Sequence, residues 1–489
     1  MSFEAAVTEH QSVSVMQVTD LVRSAVTALE DTEVLPLKQA LDRVLVEDVI
    51  SPIDVPAHDN SAMDGYALCA DTLPPATQCS GAGGGQPAMV LLRVAGTALA
   101  GRPWQGTPGS GECVRIMTGA VMPRGCDTVV AHESTTAVAP ATGLPSPVSP
   151  SLPALLPALH RPSSLAPAAA PAAPAAPAAP AMIGFAAGTV QAGDNLRRRG
   201  EDLAVGQLAL RGGRRLTPAD LGLLASLGIA EVRAGRRLRV AFFSTGDELL
   251  SPGEPAVPGC IYDSNRYTIH GMLQRLGCEL IDMGRVADQP DALEAAMRTA
   301  CSQADVLITS GGVAAGEADH TRAVMARLGR QEMHFWNIAM RPGRPMVFGK
   351  IHASGGNGSA AAGTDGQALQ HDSAWLFGLP GNPVAVMISF HFLARPALLR
   401  MMGCTDSEPL LLKLPAAAPM RKQPGRTEYQ RGIIGTDEQG RQLVRLSGAQ
   451  GSGILRSMSQ ANCIIVLHHD QGPVAAGDLI DVVLLAGLA

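Results

Sequence analysis

The chain has 489 residues, more than one hydrophobic core ordinarily supports, so several domains are expected. Its 38 basic and 44 acidic residues give a net charge of −6 with no sustained Lys/Arg run, which argues against a nucleic-acid backbone or an anionic membrane as the main partner. The 9 cysteines are scattered without a C-x-x-C pair, the pattern of reduced, buried thiols rather than of a disulfide framework or a structural zinc site.

The N-terminal MSFEAAVTEHQSVSV lacks the basic start and apolar core of a secretory signal, so a cytoplasmic protein is expected. Residues 14–30 carry apolar side chains at helical spacing, and a second helical stretch is predicted over Leu35–Leu45; with residues 193–235 they make a helical linking domain, 1–53 and 193–235. Residues 54–136 change to short β-like runs punctuated by Gly and Pro, an inserted β domain. Residues 137–190 are nearly all Ala, Pro and Ser, without the large apolar side chains that offset ordering entropy, and are expected to form a disordered or polyproline-like insertion. Beyond it, LTPADLGLLASLGI predicts a helix with Thr217 as N-cap and Pro218 at the first helical position.

The region 236–404 alternates strand-like LRVAFFS, CELIDMGRV and DVLITS with helix-like RYTIHGMLQRLG and DALEAAMRTACSQA, which predicts a doubly wound parallel sheet. The apolar stretch from Val384 to Ala394 is short for a bilayer and contains His391, so it is expected as a buried helix. Residues 405–489, with GIIG, CIIVL and LIDVVLL between Gly-rich turns, read as a small β domain. The fold class is therefore multidomain α/β plus β.

In an open α/β sheet, ligands bind at the carboxyl ends of the strands. Here those ends carry Thr245-Gly246-Asp247-Glu248, then Asp288 and Pro290, then Gly311, Gly312, Gly316, Glu317 and Asp319. Glycine admits backbone N–H groups close to a phosphate, and carboxylates chelate Mg²⁺. One such loop is equally well a turn with a helix cap, but three in succession favour a metal-assisted phosphate site. Arg341-Pro342-Gly343-Arg344 offers two guanidinium groups for phosphate or molybdate-like oxygens, and Pro380-Gly381-Asn382-Pro383 sits at a helix N-terminus that favours anions. The turn-like cluster Asp59-Asn60-Ser61-Ala62-Met63-Asp64 is either an Asx turn or a binding loop.

Together DNSAMDGYA, RIMTGAVMPRGCDTVV, LRRRGEDL, STGDEL, SGGV-x-x-GEADHT, RPGRP and GLPGNP, in that order, resemble the molybdopterin molybdenumtransferase family, MoeA in bacteria and the E domain of gephyrin in animals. The resemblance implies a four-part protomer, usually an elongated homodimer. It also implies a reaction in which adenylylated molybdopterin and molybdate, with Mg²⁺, give the molybdenum cofactor and AMP. It places Asp59, Thr118, Asp202, Glu248, Asp288 and Asp319 around the active cleft, with Glu248, Asp288 and Asp319 as the metal ligands. It assigns substrate binding to Ser61, Asp64, Gly311, Gly312, Arg341, Arg344, Pro380, Gly381, Asn382 and Pro383, with Arg431 and Ser452 from the last domain. Residues of the β domain, Asp59 and Thr118, are expected to close over the cleft, across the dimer.

The sequence departs from the family's pattern in the Ala/Pro insertion, in a Gly/Ala-rich stretch over 354–372, at Ala314-Ala315 and at Asn337. Two other functions share the fold: a non-catalytic molybdopterin-binding or scaffolding protein, and the molybdopterin adenylyltransferase of the same pathway, itself a possible partner. The retained acidic set speaks against the first, and the extra β domains and proline loop against the second.

Overall fold

A computed structural model describes residues 12–73, 88–138, 181–313, 320–330, 332–353 and 372–488. The chain forms two compact units, one of Ile50–Ala209 and one of Met1–Val49 with Leu210–Ala489.

The smaller unit is built on a six-stranded sheet with spatial order Thr128–Ala131, Gly65–Leu68, Glu112–Ile116, Met89–Ala98, Met182–Ala186, Thr136–Val138. Side chains alternate across it: Tyr66, Leu68, Ile183 and Phe185 pack on one face, Ala67, Val114, Ile116 and Val129 on the other. The two last-named strands are a correction to the expected Ala/Pro insertion over 137–190. Its margins are structured, because Ile183 and Phe185 supply the buried apolar surface that the Ala/Pro repeat lacks; residues 139–180 lie outside the described residues.

The larger unit opens with α1 (Val15–Ala25), whose N-cap Ser14 and Gln17 form a capping box. The helix expected over Leu35–Leu45 is replaced by a strand, Thr32–Pro36, and a single 3₁₀ turn, Leu37–Gln39. Pro36 and the left-handed Asp42 (φ 62°) interrupt a helix there, and Glu231–Gly235 offers an antiparallel partner. The helix Pro218–Ser226 has Thr217 as its N-cap, as expected.

The sheet that positions the site is made of β1 (Arg239–Thr245), β2 (Glu279–Val286), β3 (Val306–Ser310), β4 (Met333–Asn337), β6 (Pro345–His352) and β7 (Ser373–Leu379), with β5 (Met340–Arg341) lying outside it. Their order is β2-β1-β3-β7-β6-β4. The first four run parallel, as the alternation predicts, but β6 pairs antiparallel with both neighbours, so the sheet is mixed rather than purely parallel. The short β4–β6 connection leaves no room for a crossover helix, which forces that reversal.

Both faces are covered. On one, α1, α2 (Asn265–Leu276) and the helix α5 (Pro383–Met401) pack against Val240, Phe242, Val306 and Ile308. On the other, α3 (Pro290–Gln303) and α4 (His320–Leu328) pack against Ala241, Phe243 and Leu307. Burial on both faces is why these strands read as continuous apolar runs. Although α5 is long and apolar enough to cross a membrane, 89% of its most apolar window is buried inside the protein, so it is a core helix.

A second six-stranded sheet contains β5 (Met340–Arg341), β8 (Thr427–Thr436), Cys463–Leu467, Leu479–Leu484 and Leu412–Pro415 in that order, with Gln442–Leu446 on the other side of β8. The RPGRP segment is thus more than a turn: its first arginine is the end of a strand paired in parallel with β8, Arg341 opposite Glu428.

Asp305 anchors the start of β3, whose other end delivers the Gly311-Gly312 loop. It takes two bonds from the Arg236 guanidinium, each 2.7 Å, and one from the Arg239 N–H at 2.8 Å. Its side chain is only 3% exposed, and its loss leaves the Arg239 N–H without this acceptor while Arg236, 17% exposed, keeps its pair with Asp31 at 2.9 Å. Asp305→Ala is expected to lower the unfolding free energy by about 1–3 kcal/mol in denaturant titration.

Candidate active site

Three strand ends of the α/β sheet converge because glycine allows it. After β3 the backbone turns left-handed at Gly311 (φ 93°) and Gly312 (φ 64°). A Cβ on Gly311 would collide with the Thr245 carbonyl at the end of β1, and one on Gly312 with the Thr321 hydroxyl of α4. The Thr321 hydroxyl faces Asp288 Oδ1 at 3.4 Å, which brings the exit of β2 to the same place.

The proline loop after β7 is held from below by Asn265, the first residue of α2. Its Nδ2 donates to the Gly381 carbonyl at 2.6 Å and to Ser310 Oγ at 2.8 Å. Asn382 and Pro383 then open α5, so the positive end of a long helix dipole faces the loop. On the far side, the RPGRP turn is closed by the Ile338 N–H donating to the Arg344 carbonyl at 2.7 Å. The Val384 N–H, in the first turn of α5, donates to the Ser452 carbonyl at 3.1 Å, tying the C-terminal sheet's loop to the proline loop.

These segments enclose a cleft of about 890 Å³. Of the residues expected from the sequence, Glu248, Asp288, Gly311, Gly312, Arg341, Arg344, Pro380, Gly381, Asn382 and Ser452 line it. Pro383 is the first residue of the helix behind. Asp319, with Gly316 and Glu317, lies outside the described residues. Arg431 does not line the cleft: its side chain is turned into the protein, and the residue is 1% exposed.

The cleft has members that the sequence reading missed: Ile261, Arg426 and Gln450. Arg426 is held by Glu428, Nε to Oε1 at 2.9 Å, and Glu428 is buried and also takes a bond from Gln430. The alternate spacing of Arg426, just ahead of β8, with Glu428 and Gln430 on it was the available signal. Thr245, at the first strand exit, also lines the cleft, and its Oγ1 is a buried hydroxyl with no hydrogen-bond partner among the described residues.

Electrostatically the cleft is mixed: the guanidinium groups of Arg341, Arg344 and Arg426 and the α5 terminus share its lining with the carboxylates of Glu248 and Asp288. Among the described residues no three His, Cys, Asp or Glu side chains form a ready-made metal cage. Two carboxylates beside a phosphate-sized space nevertheless suit Mg²⁺, which typically takes one or two protein carboxylates and completes its shell with substrate oxygens and water.

The smaller unit brings Asp59, Ser61, Asp64 and Thr118 into one cluster. The Asp64 carboxylate accepts from both the N–H and the hydroxyl of Thr118, each at 2.7 Å, and these bonds hold its pKa below the ordinary aspartate value. Ser61 donates to the Met63 carbonyl, and its own carbonyl accepts from Gly119 N–H at 2.8 Å. Asp59 Oδ1 accepts from the Arg199 N–H at 2.7 Å. Asp202 is exposed, its N–H donating to the Val55 carbonyl at 3.0 Å.

Fold and cleft define a multidomain α/β protein whose strand ends open onto a cleft lined by glycines, carboxylates and guanidinium groups, with a β sheet contributing to the same wall. Known proteins narrow this. Residues 13–228 match the MoeA N-terminal region (domain I and II), residues 241–400 the probable molybdopterin binding domain, and residues 413–485 the MoeA C-terminal region (domain IV). A molybdopterin molybdenumtransferase of Haemophilus influenzae is 37% identical over 92% of this chain and 93% of its own. Molybdopterin molybdenumtransferase 2 of Mycobacterium tuberculosis is 31% identical over 92% and 94%. The crystal structure of a molybdopterin biosynthesis MoeA protein from Pyrococcus horikoshii superposes with a TM-score of 0.70 at 22% identity, covering 97% of this chain and all of that one. The chain belongs to the MoeA family of molybdenum cofactor biosynthesis.

The glycine argument has a measurable consequence. Gly312→Ala adds both a left-handed strain and a clash with Thr321, and is expected to destabilise the protein by about 1–3 kcal/mol and to weaken phosphate binding in the cleft. Thermal unfolding and a phosphate titration of the variant check this.

Proposed function

We propose that this chain is a molybdopterin molybdenumtransferase: it joins molybdate to adenylylated molybdopterin and releases AMP, leaving the molybdenum cofactor. The observation that carries the reading is the cleft itself, where Gly-rich strand ends, two carboxylates and three guanidinium groups converge in a chain of this family.

The Gly311-Gly312 loop and the Pro380–Asn382 loop bring backbone donors to the phosphates, which need close approach more than side-chain chemistry. Arg341, Arg344 and Arg426 hold the tetrahedral oxyanion opposite. Glu248 and Asp288 would hold Mg²⁺, with Asp319 as the third carboxylate of the set, and the ion would supply charge neutralisation for the phosphates. Asp59, Ser61, Asp64, Thr118, Asp202 and Ser452 keep the substrate-facing roles that the resemblance gives them.

Chemically the protein's work is positioning and charge stabilisation. Water attacks the phosphoanhydride phosphorus as its P–O bond breaks and AMP leaves, and the two dithiolene sulfurs replace two oxygens of molybdate, which depart as water with the thiol protons and protons from solvent. No protein nucleophile is required. The thiols of Cys113, Cys278, Cys301, Cys404 and Cys463 are buried and their pKa values are pushed up to about 11 or 12 by burial, so they stay protonated and inert. We assign the protein to the cytoplasm as a homodimer that receives its substrate from a molybdopterin adenylyltransferase.

Purified protein supplied with adenylylated molybdopterin, molybdate and Mg²⁺ is expected to release AMP and to yield cofactor that reconstitutes an apo-molybdoenzyme. Glu248→Gln and Asp288→Asn are each expected to slow AMP release by about 10²-fold or more while the protein stays folded. Absence of both products from the wild-type protein overturns the assignment, and full activity in both variants overturns the carboxylate roles.

A further inference from the structure

Arg431 has the chemistry of a ligand-binding residue but is directed elsewhere. It sits on β8, 1% exposed, among the largest fully buried side chains. Among the described residues its guanidinium hydrogen-bonds to neutral groups: Nη2 donates to the carbonyls of Ala449 at 2.9 Å and Gly451 at 3.0 Å, Nη1 to that of Gln450 at 3.3 Å, and Nε to Ser457 Oγ at 3.1 Å. The main chain of Arg431 completes the grip, its N–H donating to Gln450 Oε1 at 2.8 Å and its carbonyl accepting from Gln450 Nε2 at 3.2 Å.

In a trans peptide the N–H points opposite the carbonyl. Three successive carbonyls drawn toward one guanidinium therefore turn the N–H groups of Gln450, Gly451 and Ser452 away from it, and these three residues line the cleft. Successive N–H groups pointing one way make an anion-binding concavity. The loop is also joined to the cleft's other wall through the Ser452 carbonyl and the Val384 N–H.

We infer that Arg431 is a positioning residue, shaping the 449–452 loop from behind so that its N–H edge faces the oxyanion in the cleft. The inference rests on the oxyanion-binding role proposed above. Burial holds the Arg431 pKa below the usual arginine value, and the Arg341 guanidinium pushes it the same way. An uncompensated buried cation is costly, and donating to three carbonyls of one loop and to the Ser457 hydroxyl is what offsets that cost here. A lysine ammonium keeps the charge but lacks the planar fork that reaches three carbonyls.

The test compares Arg431→Lys, Arg431→Met and the milder Ser457→Ala in the full chain, by calorimetric titration with molybdate at two ionic strengths and by hydrogen exchange of residues 448–453. Both Arg431 variants are expected to raise the molybdate Kd by a similar factor, about tenfold or more, and to speed exchange in the loop while β3 is unchanged. Ser457→Ala should shift both readouts in the same direction by a smaller factor, and decides the matter if Arg431→Met does not fold. An Arg431→Lys protein that binds molybdate like wild type, or a loop whose exchange is unaltered in the variants, overturns the inference. A wild-type protein that binds no molybdate overturns the oxyanion reading instead, and loop exchange alone then decides whether Arg431 positions the loop.

Discussion

Two residues of backbone pairing set up the rest of this site. Met340 and Arg341 form a strand too short to stand alone, and it persists because it lies in parallel register against Thr427 and Glu428, with the Thr427 N–H donating to the Ala339 carbonyl at 2.8 Å. This pairing fastens the C-terminal sheet to the chain leaving the α/β sheet. It puts Arg341 at a seam between two folded layers, where its backbone cannot drift. It also sets Arg426 at the same wall, its guanidinium held by the buried Glu428, which in turn accepts from Gln430. A cationic wall with fixed backbone loses little entropy on binding an anion, which is how preorganised sites gain affinity.

The opposite wall is organised by close backbone approach. Gly311 and Gly312 let β1, β3 and α4 touch where any side chain would hold them apart, and one carboxamide, that of Asn265, joins the end of β3 to the proline loop. A further buried contact, Ser244 Oγ to Asp263 Oδ1 at 3.1 Å, sits beneath β1. Such polar networks are expensive to bury unless satisfied, and here they lie directly under the loops that must not move. The carboxylates Glu248 and Asp288 and the guanidinium groups across from them then give the cleft its polarity, suited to a phosphate-bearing substrate that comes with a cation.

Much of this was legible in the sequence, and the reasons divide by range. The strand ends carrying Gly311, Gly312, Glu248 and Asp288 could be read because parallel strands buried on both faces appear as apolar runs, and their exits as Gly and carboxylate clusters. The α5 terminus was legible from Pro383 and the apolar run after it, and Thr217 from capping chemistry. What failed was long-range or directional. The Thr32–Pro36 strand owes its existence to Glu231–Gly235, and β5 owes its to Thr427–Glu428, partners that no local window contains. Arg426 and Gln450 enter the cleft through that same pairing. Arg431 was assigned to the cleft through the family resemblance, but sequence does not say which way a strand residue points once its neighbours compete for it, and three backbone carbonyls won.

The central claim is that one cleft, walled by the Gly311-Gly312 and proline loops on one side and by Arg341, Arg344 and Arg426 on the other, receives the oxyanion that supplies the metal. Anomalous diffraction from crystals of the full chain soaked with tungstate, a heavy isostere of molybdate, locates that anion directly. A strong peak between the Arg341–Arg344 turn and the Gly381–Ser452 edge is the predicted result; a peak confined to another part of the chain, with that space filled by solvent, would contradict it.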